Sequence, residues 1–266
     1  MTNPIYQSIL GTELVAHALN RDLDRTVVVL ADGTKQSAGE LRDAISRASQ
    51  AFAALSPKPL RAAMLAKNRV EVPAAMNALS FAGIVATSLH PMGAIEDYLY
   101  VIEDAEIDML VYDGDHFEAM AAQLKERAPR IKHFVAIGAD GVGHSLERIS
   151  AAYQAAPLVA PPADPESLAR IAYSGGTTGK PKGIMVTHRG MATSTLIQLT
   201  EWEWPNEIRH LVCAPLSHAG ASVLTAILLK GGSVVVLPGF DPVSFMEAVQ
   251  KHRITSVLMV PTMVLA

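Results

Sequence analysis

Cysteine is almost missing from the 266 residues: Cys213 is the only one. A single cysteine excludes an intrachain disulfide and any cysteine-based metal cluster, and a reducing cytoplasm is the expected setting. Long apolar runs are missing too. Half of the residues are hydrophobic and the mean hydropathy is +0.23. Yet no stretch approaches the ~18 apolar residues that a membrane-crossing helix needs. The longest, such as Val234-Val235-Val236-Leu237, have the length of strands. Nor is there a basic excess: 22 Lys and Arg against 26 Asp and Glu leave a net charge of −4 with histidines neutral. That balance gives no electrostatic footprint for nucleic acid and no cationic face for a membrane. Met1-Thr2-Asn3-Pro4 begins neither a signal peptide nor a transit peptide. The histidines show no metal-ligand spacing, and the chain holds no internal repeat or low-complexity tract.

What is present is an alternation of short apolar runs with helical periodicity. Val27 to Leu30 reads as a strand, and Ser37 with Glu40 three positions on forms a capping box. The helix behind it carries Leu41, Ile45, Ala48, Phe52 and Leu55 at spacings of three and four. Strands follow around residues 62–65, 84–89, 108–112 and 133–137, separated by helices at 70–82, 94–105 and 115–127. Strands and helices alternating at this size imply an α/β fold of parallel sheets flanked by helices. Four prolines between 157 and 165 mark a linker. They divide an N-terminal α/β subdomain, 1–166, from the start of a second one, 167–266. In the second part the pattern predicts helices at 188–200 and 217–230, a helix capped by Asp241 with Pro242 at its first position, and strands at 209–213, 233–237 and 256–260.

The chemistry is concentrated in Tyr173-Ser174-Gly175-Gly176-Thr177-Thr178-Gly179-Lys180-Pro181-Lys182-Gly183. Four glycines, three small hydroxyl side chains and two lysines lie between two strand-like apolar runs. Glycines let backbone N–H groups turn into one concavity that binds anions, and the lysines add positive charge. A polyphosphate suits this donor set. The mononucleotide P-loop does not fit: Ser174 stands at its first glycine, Pro181 at its Mg²⁺-binding Ser/Thr, and the following residues read as a strand instead of a helix.

Ser174-Gly175-Gly176-Thr177-Thr178-Gly179-Lys180-Pro181-Lys182-Gly183 resembles the phosphate-binding signature of the adenylate-forming enzymes, which include acyl- and aryl-CoA synthetases, with no departure in ten residues. Four further segments are similar to that family: Asn77-Ala78-Leu79-Ser80-Phe81-Ala82-Gly83-Ile84-Val85-Ala86; Leu89-His90-Pro91, where His replaces the usual Asn; Ala214-Pro215-Leu216-Ser217-His218-Ala219-Gly220; and Val260-Pro261-Thr262-Met263. Within the family, actinobacterial fatty-acid–CoA ligases look most similar.

The resemblance implies the N-terminal part of the adenylate-forming fold, truncated before its C-terminal domain, so that the chain is expected to be a fragment. It implies ATP-dependent activation of a carboxylic acid, as in fatty acid metabolism, to an acyl-adenylate and then to a CoA thioester, with ATP, Mg²⁺ and CoA as the small-molecule partners. Ser174, Gly175, Gly176, Thr177, Thr178 and Gly179 would wrap the phosphates, and Lys182 would neutralise the pyrophosphate. His218 would border the acyl pocket near the α-phosphate, and Gly220, Ala221 and Leu224 would line it, although core packing accounts for those three equally well. His90, His188, Arg189 and Cys213 read as structural, Lys180 as a peripheral charge, and Trp202 and Trp204 as packing for the corner after the loop helix. No protein metal ligand is assigned. The alternative is a nucleotide-binding paralogue or regulatory module without turnover. The fragment alone is expected to be incompetent for thioester formation and to self-associate through exposed apolar surface.

Overall fold

The computed structural model describes residues 8–30, 32–174 and 180–265. The chain opens with α1 (Gly11–Asn20), β1 (Thr26–Val29), β2 (Lys35–Ser37) and α2 (Ala38–Ala53). Ser37 Oγ accepts from Glu40 N at 3.1 Å, and the Glu40 carboxylate accepts from Ser37 N at 2.7 Å. This reciprocal cap starts α2 where the sequence places it. Leu41, Ile45, Ala48 and Phe52 are buried along one face of that helix.

Next come β3 (Arg61–Leu65), α3 (Glu71–Phe81), β4 (Val85–Ser88), α4 (Ile95–Asp104), β5 (Met109–Asp113), α5 (Gly114–Arg127), β6 (His133–Ile137), β7 (His144–Ser145) and α6 (Leu146–Ser150). An irregular stretch spanning the prolines leads to β8 (Leu168–Ser174), β9 (Lys182–Thr187) and α7 (His188–Glu201). The last part holds β10 (Arg209–Val212), α8 (Leu224–Leu229), β11 (Ser233–Val236), α9 (Pro242–His252), β12 (Ser256–Val257) and α10 (Pro261–Val264). Asp241 caps α9 by accepting from Ser244 N at 2.8 Å, with Pro242 at the first position.

Two sheets form, ordered β12-β10-β11-β1-β2 and β7-β6-β5-β3-β4-β8-β9. Both take strands from either side of residue 166. Pairing is parallel except at β1–β2 and β8–β9. The main core lies between the sheets. Val15 and Leu19 of α1, Ile45 and Phe52 of α2, Leu79 of α3 and Ile227 of α8 join it to Val28 and Val234 on one sheet and to Met64 and Val111 on the other. The outer face of the larger sheet packs on α4 and α5 through Ile102, Leu110 and Leu124. That of the smaller sheet packs on α9 through Leu211, Val235 and Ala248. The result is five layers, helix–sheet–helix–sheet–helix, with the edge strand β9 of the larger sheet left largely exposed.

The continuous helix expected at 217–230 is broken. Pro215 O accepts from both His218 N and Gly220 N at 3.0 Å. A 3₁₀ turn, Ala219–Ala221, follows, and regular helix begins only at Leu224. The fold-back puts Gly220 so near Ala214 that a Cβ there would lie 2.4 Å from Ala214 O. Two N–H groups captured by one carbonyl hold the first turn out of α-helical register. Gly231, at φ +84, then ends α8. The strand expected at 256–260 is also shorter, two residues long.

Candidate functional site

The site is built at the end of the β8–β9 hairpin. The pairing runs antiparallel from Leu168 opposite Thr187 to Ser174 opposite Lys182. The segment after the glycine-rich loop is therefore a strand, which separates it from the strand–loop–helix context of a P-loop. Lys182 is exposed at the first position of β9. Gly175, Gly176, Thr177, Thr178 and Gly179 lie outside the described residues. Lys180 Nζ stands over the Tyr100 ring at 5.1 Å, a cation–π contact that turns its charge toward α4.

Beside the hairpin end is a cavity of about 340 Å³, walled by Ser88, His90, Tyr98, Tyr173, Ser174, Pro181 and His218, among others. Ser174 and Pro181, on either side of the loop, thus share one wall system with the two histidines. Tyr98 Oη donates to His90 O at 2.6 Å, and His90 Nδ1 accepts from Met92 N at 3.1 Å. With Nδ1 accepting, the neutral His90 ring carries its proton on Nε2. The rings of His90 and His218 meet edge to face. His218 Nδ1 lies 3.0 Å from Ser217 Oγ. Its pKa is lowered from the ordinary histidine value, by desolvation first and then by the neighbouring His90 and Arg170. It is therefore an uncharged ring near neutral pH.

Gly220, Ala221 and Leu224 do not share that cavity. Ala221 and Leu224 line a second, smaller one of about 110 Å³, together with Arg170, Asn77, Ser80 and Thr225. Gly220 is buried against Ala214 and Pro215, and its missing side chain is explained by that close approach. Cys213, just after β10, is buried. Trp202 and Trp204 stack with ring centroids 5.9 Å apart, and Trp204 Nε1 donates to Gln198 O at 2.9 Å. Arg189 pairs with Glu166.

Two residues contribute that local sequence patterns do not single out. Asn68 donates to Ala214 O at 3.0 Å and accepts from Leu216 N at 2.8 Å, so one amide clamps the segment leading to His218. Arg170 Nη2 reaches Ser217 O at 3.5 Å. Neither lies in a motif of its own, and both act on residues far away in sequence.

A larger and more open depression of about 580 Å³ surrounds Arg61, Asp108 and Lys132. Its charges are satisfied internally: Arg61 pairs with Glu106 at 3.2 Å, and Asp108 accepts from Leu60 N and Arg61 N. It offers no group aimed at a ligand, and the chemistry stays with the hairpin. Among the described residues no group of three or more His, Cys, Asp or Glu is placed to hold a metal ion. Among the same residues no helix is long and apolar enough to cross a membrane.

Residues 15–266 match the sequence model of the family described as AMP-binding enzyme. The medium/long-chain-fatty-acid–CoA ligase FadD8 of Mycobacterium tuberculosis is 40% identical over 260 residues, which cover 95% of this chain and 45% of that protein. A feruloyl-CoA synthase of Amycolatopsis is 29% identical over 234 residues, 87% of this chain and 45% of its own. Among solved structures, ATP-bound MatB from Rhodopseudomonas palustris superposes with a TM-score of 0.80 at 27% identity, over 95% of this chain and 50% of its own. The amide bond synthetase McbA from Marinactinospora thermotolerans does so with a TM-score of 0.79 at 25% identity, over 95% and 49%. The chain thus spans about half the length of the relatives it matches.

Proposed function

Because the chain belongs to the AMP-binding enzyme family, we propose that its protein activates a carboxylic acid with ATP and transfers the acyl group to the thiol of coenzyme A. In the first step a carboxylate oxygen attacks the α-phosphorus of ATP. The bond to the bridging oxygen breaks and pyrophosphate leaves, giving an acyl-adenylate. In the second, the CoA thiolate attacks the acyl carbon and AMP leaves. The name of the relative from M. tuberculosis supports an aliphatic acid of medium or long chain.

One observation carries this reading: the hairpin sets Lys182 opposite Ser174, and the cavity at that hairpin end also contains His218. Lys182 and the loop donors act on charge that builds on the pyrophosphate leaving group, where preorganised positive groups count most. His218 is not needed as a base, since a carboxylate is already ionised at neutral pH. Its ring, neutral there, holds the reacting group in place by hydrogen bonding. A Mg²⁺ ion bound with ATP would neutralise phosphate charge; among the described residues no group of three or more His, Cys, Asp or Glu is placed to hold it.

Two measurements test the proposal. The 266-residue chain should bind ATP, and Lys182→Ala should weaken that binding by about tenfold or more, on the scale of one charge-assisted contact. An unchanged affinity would return Lys182 to a solvated turn. The chain by itself should give no acyl-CoA from an acid, ATP and CoA, and turnover by the purified chain would overturn that part.

A further inference from the structure

Ser174 and Lys182 stand at the tip of a strand pair that outruns its sheet. β8 pairs with β4 at Arg170 and Ile171. β9 accompanies β8 further, with Ile184, Gly183 and Lys182 opposite Ala172, Tyr173 and Ser174. Among the described residues no third strand pairs with those last rungs. Ile184 and Met185 of this ribbon are exposed. A two-stranded ribbon is marginal in water by itself, so the place of Lys182 depends on what else holds the tip.

Two side chains of α4 hold it, one on each side of the glycine-rich loop. Before the loop, Tyr173 Oη donates to the Asp104 carboxylate. After it, Lys180 Nζ lies over the Tyr100 ring at 5.1 Å. Tyr100 and Asp104 are four residues apart on α4 and so share one face of the helix. Tyr173 lies across Gly183, where a Cβ would come 3.2 Å from its ring and hydroxyl. Burial and then Asp104 raise the pKa of Tyr173, so the hydroxyl keeps the proton it donates. Neither Tyr100 nor Asp104 walls the cavity at the hairpin end. We propose that Tyr100 and Asp104 are positioning residues: they fasten the ribbon tip to α4 and set Ser174 and Lys182 in place for the phosphates of ATP. This rests on the ATP-dependent reading above. They act through Tyr173 and Lys180, and a group already held in place spares the ordering cost of binding.

The test is calorimetric titration of the 266-residue chain with ATP at pH 7.5. Asp104→Ala and Tyr100→Leu should each weaken binding by about threefold to tenfold, the scale of one such contact. Charge alone predicts the reverse, because the first variant removes a negative group beside the ribbon and the second frees a lysine. The conservative variants should bind ATP as tightly as wild type or tighter: Asp104→Asn keeps an acceptor for Tyr173, and Tyr100→Phe keeps the ring under Lys180. Hydrogen exchange at Tyr173, Ser174, Lys182 and Gly183, read without nucleotide, should quicken in Asp104→Ala and Tyr100→Leu only. Unchanged or tighter ATP binding in those two, an equal loss in the conservative pair, or unchanged exchange each overturns the inference. Asp104 is exposed, so were Tyr100→Leu not to fold, Asp104→Ala decides it. Failure of wild type to bind ATP would sink the acid-activation reading, and exchange would still decide whether α4 holds the tip.

Discussion

His90 and His218 meet edge to face, with ring centroids 5.3 Å apart and planes at 76°. One follows β4 and the other follows β10, so the contact joins the two sheets at the mouth of the cavity beside the hairpin. Desolvation disfavours protonation of His218, and the neighbouring His90 acts on it in the same direction.

The titration of His218 should show both effects. Its imidazole signals in NMR should titrate with a midpoint below the ordinary histidine value. His90→Asn should raise that midpoint; the new side chain can still accept from Met92 N while removing the neighbouring imidazole. Arg170→Met should raise it as well, since Arg170 contributes in the same sense. A wild-type midpoint at or above the ordinary value would show that His218 is not shielded by this environment, and the neutral-ring role would fail.

Asn68 should matter for stability out of proportion to its size. It lies after β3 but satisfies Ala214 O and Leu216 N, both on buried residues 146 and 148 positions away. Asn68→Ala leaves a donor and an acceptor unpaired and should cost roughly 2 kcal/mol. For a chain of this size that lowers the melting temperature by about 4–8 °C. Asn68→Asp keeps the acceptor for Leu216 N but turns a carboxylate toward Ala214 O, so it should not restore stability. Urea unfolding of the three proteins measures this. A change within about 0.5 kcal/mol, the range of an ordinary surface substitution, would count against the clamp.

Which features were legible in the sequence follows from the range of the forces involved. The Ser37–Glu40 box and the Asp241–Pro242 cap act within one turn and stand where the pattern places them. Most buried strands announce themselves by unbroken apolar runs, as in His133–Ile137. Lys35–Ser37 is too short and too polar to read as a strand; it exists because β1 pairs with it. The helix expected at 217–230 fails because the Pro215 carbonyl competes for the N–H groups of His218 and Gly220, a fold-back that helical spacing does not reveal. At the site, Ser174, Lys182 and His218 lie in motifs and could be named in advance. Asn68 and Arg170 could not. The first becomes important through a segment on another sheet, and the second through its reach to Ser217 O.

His210 gives the fold a built-in sensitivity to acid. It lies on β10, is 4% exposed, and has Nδ1 3.0 Å from Ser256 Oγ on β12. Burial pushes its pKa down to about 4 from an ordinary 6.5. In the folded chain the ring stays neutral down to that value, while in the unfolded chain it takes up a proton near 6.5. The unfolded state therefore binds more protons across this window, and stability rises with pH through it. The contribution is fully present above 6.5 and is lost as pH falls toward 4. A shift of this size corresponds to about 3 kcal/mol. Urea unfolding at pH 7.5 and at pH 4.5 should show a large loss in wild type. His218, His188 and His252 are shifted in the same direction, so the loss belongs to several groups, and the difference between variants isolates one of them. His210→Gln cannot be protonated and retains an amide for Ser256. Its loss between the two pH values should be smaller than that of wild type by about 2–3 kcal/mol. Equal losses in the two proteins would mean that His210 is hydrated enough to titrate normally, and that the strand pair β10–β12 opens to water.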